Sequence, residues 1–343
     1  MFIDFTTIVK YAWMAYDTSR AIKSITDISA MVSTNHVYKV LLSNRSYVIA
    51  KISYFGQFEH FVEDHSIINV LANNLPSPFE NFLARSLVLG NELFVHRFEN
   101  KFVDAWVVFY KPIKISKQLP KRFNDEQITA MGRQFAGFHQ TCTDIRNTLP
   151  PSSKTLQTDI LNLLQSTQSE DYEHRRHIDL IQRQCELFLE NSDKLEVEKF
   201  PKIPVFVDWN IGNFSVSRTY KLFSRWDYDW FRMSSRILDF YFLSRIVSDV
   251  GDRTAFTYNI DVLMENRFLQ FLQSYHKVYP LQKNEVLFMK EAYRFFILTY
   301  VIKYGRYFFH EVYANKLQKE AFEQHLPSID KFDADRILRV LNI

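Results

Sequence analysis

The feature that most constrains this chain is a change of periodicity near residue 111. Before it, β-branched and aromatic runs alternate with polar residues, as in Tyr47-Val-Ile-Ala-Lys-Ile-Ser53 and Trp106–Tyr110. Such runs read as strands. The segment from Ser29 to Leu42 reads as a strand pair, and residues 1–25 as an opening helix. Phe58, Phe61, Val62, His65 and Ile68 recur at helical spacing and mark a helix to about Asn73. Lys111-Pro112 and Gln118–Arg122 break the pattern. Beyond them the apolar spacing is helical, opening with the capping pair Asn124 and Gln127 and the face Ile128, Met131, Phe135 and Phe138. The expected fold is therefore α+β and bilobal, with a sheet-rich N-lobe over 1–111 and a mainly helical C-lobe over 112–343.

One short β element interrupts the helical half. Pro204–Asp208, Phe214–Ser217 and Leu222–Trp226 read as strands, with a turn near Thr219-Tyr220. Between and after them lie Asp208, Asn213 and Asp227. If the last two strands pair about Tyr220, Asn213 and Asp227 become cross-strand neighbours about 5 Å apart. An amide oxygen and a carboxylate then converge at the open end of the hairpin, and Asp208 arrives from the preceding strand. Hard oxygens of this kind suit Mg²⁺, and a second carboxylate beside them suits a hydroxyl that must lose its proton.

Composition narrows the alternatives. Lys and Arg number 42 and Asp and Glu 39, a net charge of +3, so bulk charge gives no reason to expect a nucleic-acid or membrane-surface partner. The most apolar run, Phe295–Ile302, is far shorter than the roughly 20 residues of a membrane span. The early Asp4 and the lack of a basic start argue against a signal peptide. Two cysteines, Cys142 and Cys185, make neither a disulfide framework nor a four-cysteine zinc site. A soluble, cytoplasmic protein is expected. Only seven glycines occur, none before Gly56, which excludes a glycine-rich phosphate loop near the start. His174 and His177, in a charged stretch, read as a solvated face.

The order of these motifs resembles the aminoglycoside phosphotransferase and choline kinase family, which has a protein-kinase-like fold. Asp208, Gly212 and Asn213 match its His-Gly-Asp-x-x-x-Gly-Asn stretch, and Trp226-Asp227-Tyr228-Asp229 its metal stretch. Leu238-Asp239-Phe240 is similar to the helix start that follows, and Gly132–His139 to an upstream helix. Ser33-Thr-Asn35-His-Val-Tyr38 resembles the nucleotide loop. The resemblance implies ATP and Mg²⁺ as cofactors, Asp208 as catalytic base, and Asn213 and Asp227 as metal ligands. It further implies Lys51 and Asn35 at the nucleotide, with Glu63, or Glu59 one turn away, as the helix partner of Lys51. Asp239 would buttress the catalytic loop, while His139 reads as a packing histidine.

The implied activity is phosphorylation of a small-molecule hydroxyl, with the acceptor lying against the C-lobe helices and the 155–200 insert. A cationic amine could sit over Phe206, Trp209, Trp226, Tyr228, Trp230 and Phe231, which would suit an aminoalcohol or aminoglycoside-like acceptor. In a chain with 32 phenylalanines, the same crowding is equally what a core produces. Two positions depart from the family: Phe206-Val207 stands where it has His-Gly, and the nucleotide loop lacks glycine. The alternative they leave is a kinase-like nucleotide- or partner-binding protein without catalysis. Oligomeric state is not specified by the sequence.

Overall fold

The computed structural model describes residues 4–31, 33–117, 119–120, 122–249 and 256–343. Val32 of the expected strand pair and Gln118 and Lys121 of the expected boundary lie outside them. The N-lobe opens with α1 (Phe5–Tyr16), capped by Asp4, whose carboxylate accepts from the Thr6 amide. A strand, β1 (Ile22–Asp27), follows where the opening helix was expected to continue. β2 (His36–Leu42) and β3 (Tyr47–Ser53) come next, then α2 (Phe58–Asn74), the short pair β4 (Val88–Leu89) and β5 (Glu92–Leu93), β6 (Val95–Glu99) and β7 (Asp104–Tyr110). The strand pair expected over 29–42 is therefore one strand, β2, preceded by a loop. That loop has the polar Ser33-Thr34-Asn35 run, which gives no alternating face to bury.

The sheet is antiparallel in the order β1-β2-β3-β7-β6. Its two faces have different tasks because side chains alternate along a strand. Ala50, Ile52, Val107 and Phe109 face α1 and close a small core with Ile8, Val9, Ala12 and Trp13. Val108 and Tyr110 belong to the other face, which joins the inner side of α2 and the large C-lobe core. Lys51, opposite Val108 in the ladder, points to this second face and so into the cleft.

The C-lobe contains α3 (Asp125–Ile145), α4 (Leu156–Ser166) and α5 (Ile178–Lys194), the β element β8 (Ile203–Val205), β9 (Phe214–Val216), β10 (Leu222–Arg225) and β11 (Arg232–Ser234), and then α6 (Phe240–Val247), α7 (Asn266–His276), α8 (Lys283–Phe296), α9 (Gly305–Phe308) and α10 (Glu311–Glu320). Asn124 and Gln127 form the expected capping box of α3. α3 lies tight against α7 at Gly132, where a β-carbon would come 2.6 Å from the Phe271 carbonyl oxygen, so glycine is required there. Among the described residues no helix is long and apolar enough to cross a membrane. His174 and His177 are not a plain solvated face: both are half-buried, and the His177 ring stacks on Phe322 at 4.0 Å.

Candidate active site

Asp208 sits on the turn after β8, and the turn is held from beneath. The backbone amides of Phe206 and Val207 donate to Asp239 Oδ1 at 3.0 and 2.7 Å. The second oxygen of Asp239 lies 2.9 Å from His139 Nε2, and His139 Nδ1 lies 2.8 Å from the Tyr275 hydroxyl. All three side chains are buried. Asp239 is thus the buttress the resemblance implied, and His139 a satisfied packing histidine. The turn places Val207 at φ +58°, in the left-handed region that a β-branched residue rarely enters. This is where the similar family has glycine. The anchored Val207 amide and its neighbours hold this conformation against its cost.

The Asp208 carboxylate is half-buried. Its Oδ1 accepts from the Asn210 amide at 3.1 Å and its Oδ2 from Asn213 Nδ2 at 3.0 Å. Those bonds aim the Asn213 amide group and leave its oxygen side directed away from Asp208. The hairpin register differs from the expected one by a single residue. Arg225 pairs with Phe214, the ladder shifts between Leu222 and Ser224, and the Trp226 amide donates to the Asn213 carbonyl at 3.0 Å. The bulge at Phe223 therefore puts Trp226, not Asp227, opposite Asn213. Asp227 follows with φ +68° and turns its carboxylate toward β3.

Arg225 is a site residue that sequence reasoning missed. It is fully buried, with its guanidinium 4.4 Å from the Phe206 ring centre and 4.1 Å from that of Trp209. Its Nη2 donates to the carbonyls of Asp208 at 2.9 Å and Asp227 at 3.4 Å. One cation therefore ties together the backbone of both acidic turns. It also occupies the ring cluster considered for a substrate amine, and Phe206, Trp209, Tyr228 and Phe231 are buried in the core. Arg225 reads as any strand arginine in the sequence; only its burial reveals the role.

Lys51 Nζ meets Asp227 Oδ1 at 2.9 Å and also contacts the Asp229 carboxylate. The expected partner, Glu63, does not reach it. The Glu63 carboxylate accepts from Ser152 Oγ at 2.6 Å and the Ser153 amide at 2.8 Å, because the phase of α2 turns His65, not Glu63 or Glu59, toward the sheet. His65 is buried against the Tyr110 hydroxyl at 2.9 Å, and burial beside Lys51 pushes it down to about 3. Asp229 takes the partner role instead, and its other oxygen accepts from the Asn35 amide. Burial, with the neighbouring Asp227 charge, pushes Asp229 up to about 7 although Lys51 opposes the rise. Asp227 is held down by Lys51 against the effect of burial, and the two carboxylates hold Lys51 charged, its pKa raised despite burial.

Two cavities meet at this cluster. The first, about 480 Å³, is bordered by Ile49, Lys51, Tyr110, Asn213, Asp227 and Asp229, a size and polarity ordinary for small-molecule sites. The second, about 190 Å³, shares Tyr228 and Asp229 and adds Lys154, Asp159 and Arg232. Its buried pairs are Lys154 with Asp64 and Arg232 with Asp159 at 2.6 Å. Asp159 belongs to the insert, and Lys154 immediately precedes it. Among the described residues no three His, Cys, Asp or Glu side chains gather as a metal site; the cleft instead offers two carboxylates and an amide. Two half-buried carboxylates sharing one ammonium, with an amide oxygen beside them, are a donor set that fits a divalent oxygen-seeking ion.

The loop that carries Ser33, Thr34 and Asn35 closes over this cluster. Ser33 forms an antiparallel bridge with Phe309, the Thr34 amide donates to the Phe308 carbonyl at 3.4 Å, and Thr34 Oγ1 donates to the Tyr307 carbonyl. The Tyr54 hydroxyl adds a bond to the Thr34 carbonyl at 3.1 Å.

No protein-family model matches the chain, and no curated protein sequence does. Solved structures do. A microcompartment-associated aminopropanol kinase is 14% identical with a TM-score of 0.63, covering 98% of this chain and 99% of that one. An amicoumacin kinase in complex with AMP-PNP and Ca²⁺ is 15% identical with a TM-score of 0.61, over 98% and 97%. An aminoglycoside phosphotransferase in ternary complex with streptomycin and ATP is 14% identical with a TM-score of 0.56, over 96% and 98%. The chain shares their bilobal, protein-kinase-like fold along almost its whole length.

Proposed function

We propose that this protein is an ATP-dependent phosphotransferase acting on a hydroxyl of a small molecule. Residues 1–111 hold the nucleotide, and 112–343 supply the catalytic loop and the acceptor side. The carrying observation is that Lys51, Asn213 and Asp227, from three separate segments, line one cleft, with Asp208 bonded to Asn213 beside it. Lys51 and Asn35 position the phosphates. Asn213 and Asp227 would hold Mg²⁺, with Asp229 beside them; the ion would offset the charge of the transferring group. Asp208 orients the acceptor hydroxyl and takes its proton as the oxygen bonds the γ-phosphorus and ADP departs. Glu63, turned to Ser152 and Ser153, would contribute to the nucleotide site only by fixing α2 to the segment just before the insert.

The body of the acceptor fits the second cavity, where the insert supplies charged groups and the rings supply flat walls. Solved structures of the same fold include an aminopropanol kinase and a streptomycin complex, which supports an aminoalcohol or aminoglycoside-like acceptor. The test is calorimetric titration of Mg·ATP into the wild type, Asp227→Asn and Asp208→Ala, followed by ADP release with aminopropanol, ethanolamine, choline and aminoglycosides. Metal-dependent binding weakened by Asp227→Asn, with turnover lost but binding kept in Asp208→Ala, is the expected result. A folded wild type that binds no Mg·ATP would defeat the proposal. The second reading, a binding protein without catalysis, has one observation in its favour: the Asn35 amide is bonded to Asp229, where the cluster would otherwise meet phosphate. Tight Mg·ATP binding with no ADP release across the screen would select it.

A further inference from the structure

Away from the cleft, a cavity of about 370 Å³ lies between the His174–His177 turn and α10. Its rim carries Arg175, Arg176, Arg306 and Lys319 against a single carboxylate, Glu173, a local charge of +3 with histidines neutral. Among the described residues neither Arg175 nor Arg176 has an ion-pair partner. Lys319 has only a 4.0 Å contact with Glu323. Arg306 pairs with Glu173 through Nε and with Glu311 through Nη1 at 3.9 Å, and its Nη2 donates to Asn315 Oδ1 at 2.9 Å. The floor is apolar and rigid, with the His177 ring stacked on Phe322 at 9° and His174 edge-on to it at 5.1 Å.

We propose that this cavity is a second anion site, which takes a small phosphate-bearing molecule. The Arg175 and Arg176 guanidinium groups, which have no ion-pair partner among the described residues, offer planar forks, and such forks match the oxygens of a phosphate better than a single carboxylate. A local depression with no basic track leading from it excludes a nucleic-acid polymer. The site is connected to the cleft by a short stretch of chain. Arg306 is followed by Tyr307, Phe308 and Phe309, the residues that dock the nucleotide loop at Ser33 and Thr34. An anion that engages Arg306 therefore acts on the segment that holds the loop closed.

The proposal stands apart from the phosphotransferase reading, and the test keeps the two apart. Pyrophosphate is titrated by calorimetry into the wild type, Lys51→Ala and the double variant Arg175→Ser/Arg176→Ser, with citrate as the carboxylate control. Pyrophosphate binding retained in Lys51→Ala and weakened roughly tenfold or more in the arginine variant is the expected result. Arg306→Gln repeats the test should the double variant be poorly folded. Binding abolished by Lys51→Ala but not by the arginine changes would place the anion in the cleft and overturn the proposal. So would the absence of binding, or citrate binding in place of pyrophosphate.

Discussion

The two loops that frame the cleft are held in opposite ways. The catalytic turn at 206–213 is braced from inside: Asp239 takes two of its amides, and Arg225 takes the Asp208 carbonyl from a bed of aromatic rings. Every brace is buried. The nucleotide loop at 29–35 is tethered from outside, to Tyr307, Phe308 and Phe309 and, through Asn35, to Asp229. Precision in the first comes from buried charge that has no alternative partner. In the second it comes from contacts that can open without unfolding the core. A loop that admits a ligand has to be the weaker of the two.

This contrast can be broken at the strong end first. Asp239→Ala should cost on the order of 3–5 kcal/mol, since it strips two backbone donors and His139 of their buried partner; chemical denaturation reads it, and a loss under 1 kcal/mol would show the brace to be idle. Arg225→Met keeps the volume but frees both acidic turns. Turnover should fall about a hundredfold while the Mg·ATP affinity changes far less, a split visible in kcat against Kd.

The pH response sharpens the tether side. The Asp229 carboxyl sits near 7 in the folded protein against an ordinary 3.8. Between those values the folded chain binds more protons than the unfolded one, so this group removes stability as pH rises from about 4 to 7. Divalent-ion affinity should move the other way, rising from pH 6 to 8 as the carboxylate ionises. Asp229→Asn should flatten both slopes; unchanged profiles would remove Asp229 from the cluster. The smallest effect is Val207→Gly. It relieves a left-handed β-branched residue but empties a buried position, so the two effects oppose; thermal melts should show a net change within about 2 kcal/mol, without loss of turnover.

The sequence made the bilobal fold legible because the apolar period changes at one place and the Asp208–Asn213 spacing is local. It also pointed to Asp239 under the catalytic turn. It misplaced Asp227 by one ladder step because a bulge at Phe223 leaves no mark in composition. It chose Glu63 for Lys51 because carboxylates one turn apart on a helix, such as Glu59 and Glu63, look alike until the helix phase is known; burial, not charge, decides that His65 faces inward. Arg225 was invisible for the same reason. A buried cation and a surface one are the same letter, and only the rings around Arg225 and the carbonyls it holds tell them apart.

The lacing of Ser33 and Thr34 to Tyr307–Phe309 has a consequence for biosynthesis. These partners lie more than 270 residues apart in sequence, so the N-terminal lobe can leave the ribosome and build its sheet, yet Ser33 and Thr34 have their partners only once residue 309 has been made. Closure of that loop is among the last events of folding, and a chain that stops short of Phe309 carries the sheet without the finished mouth of the site.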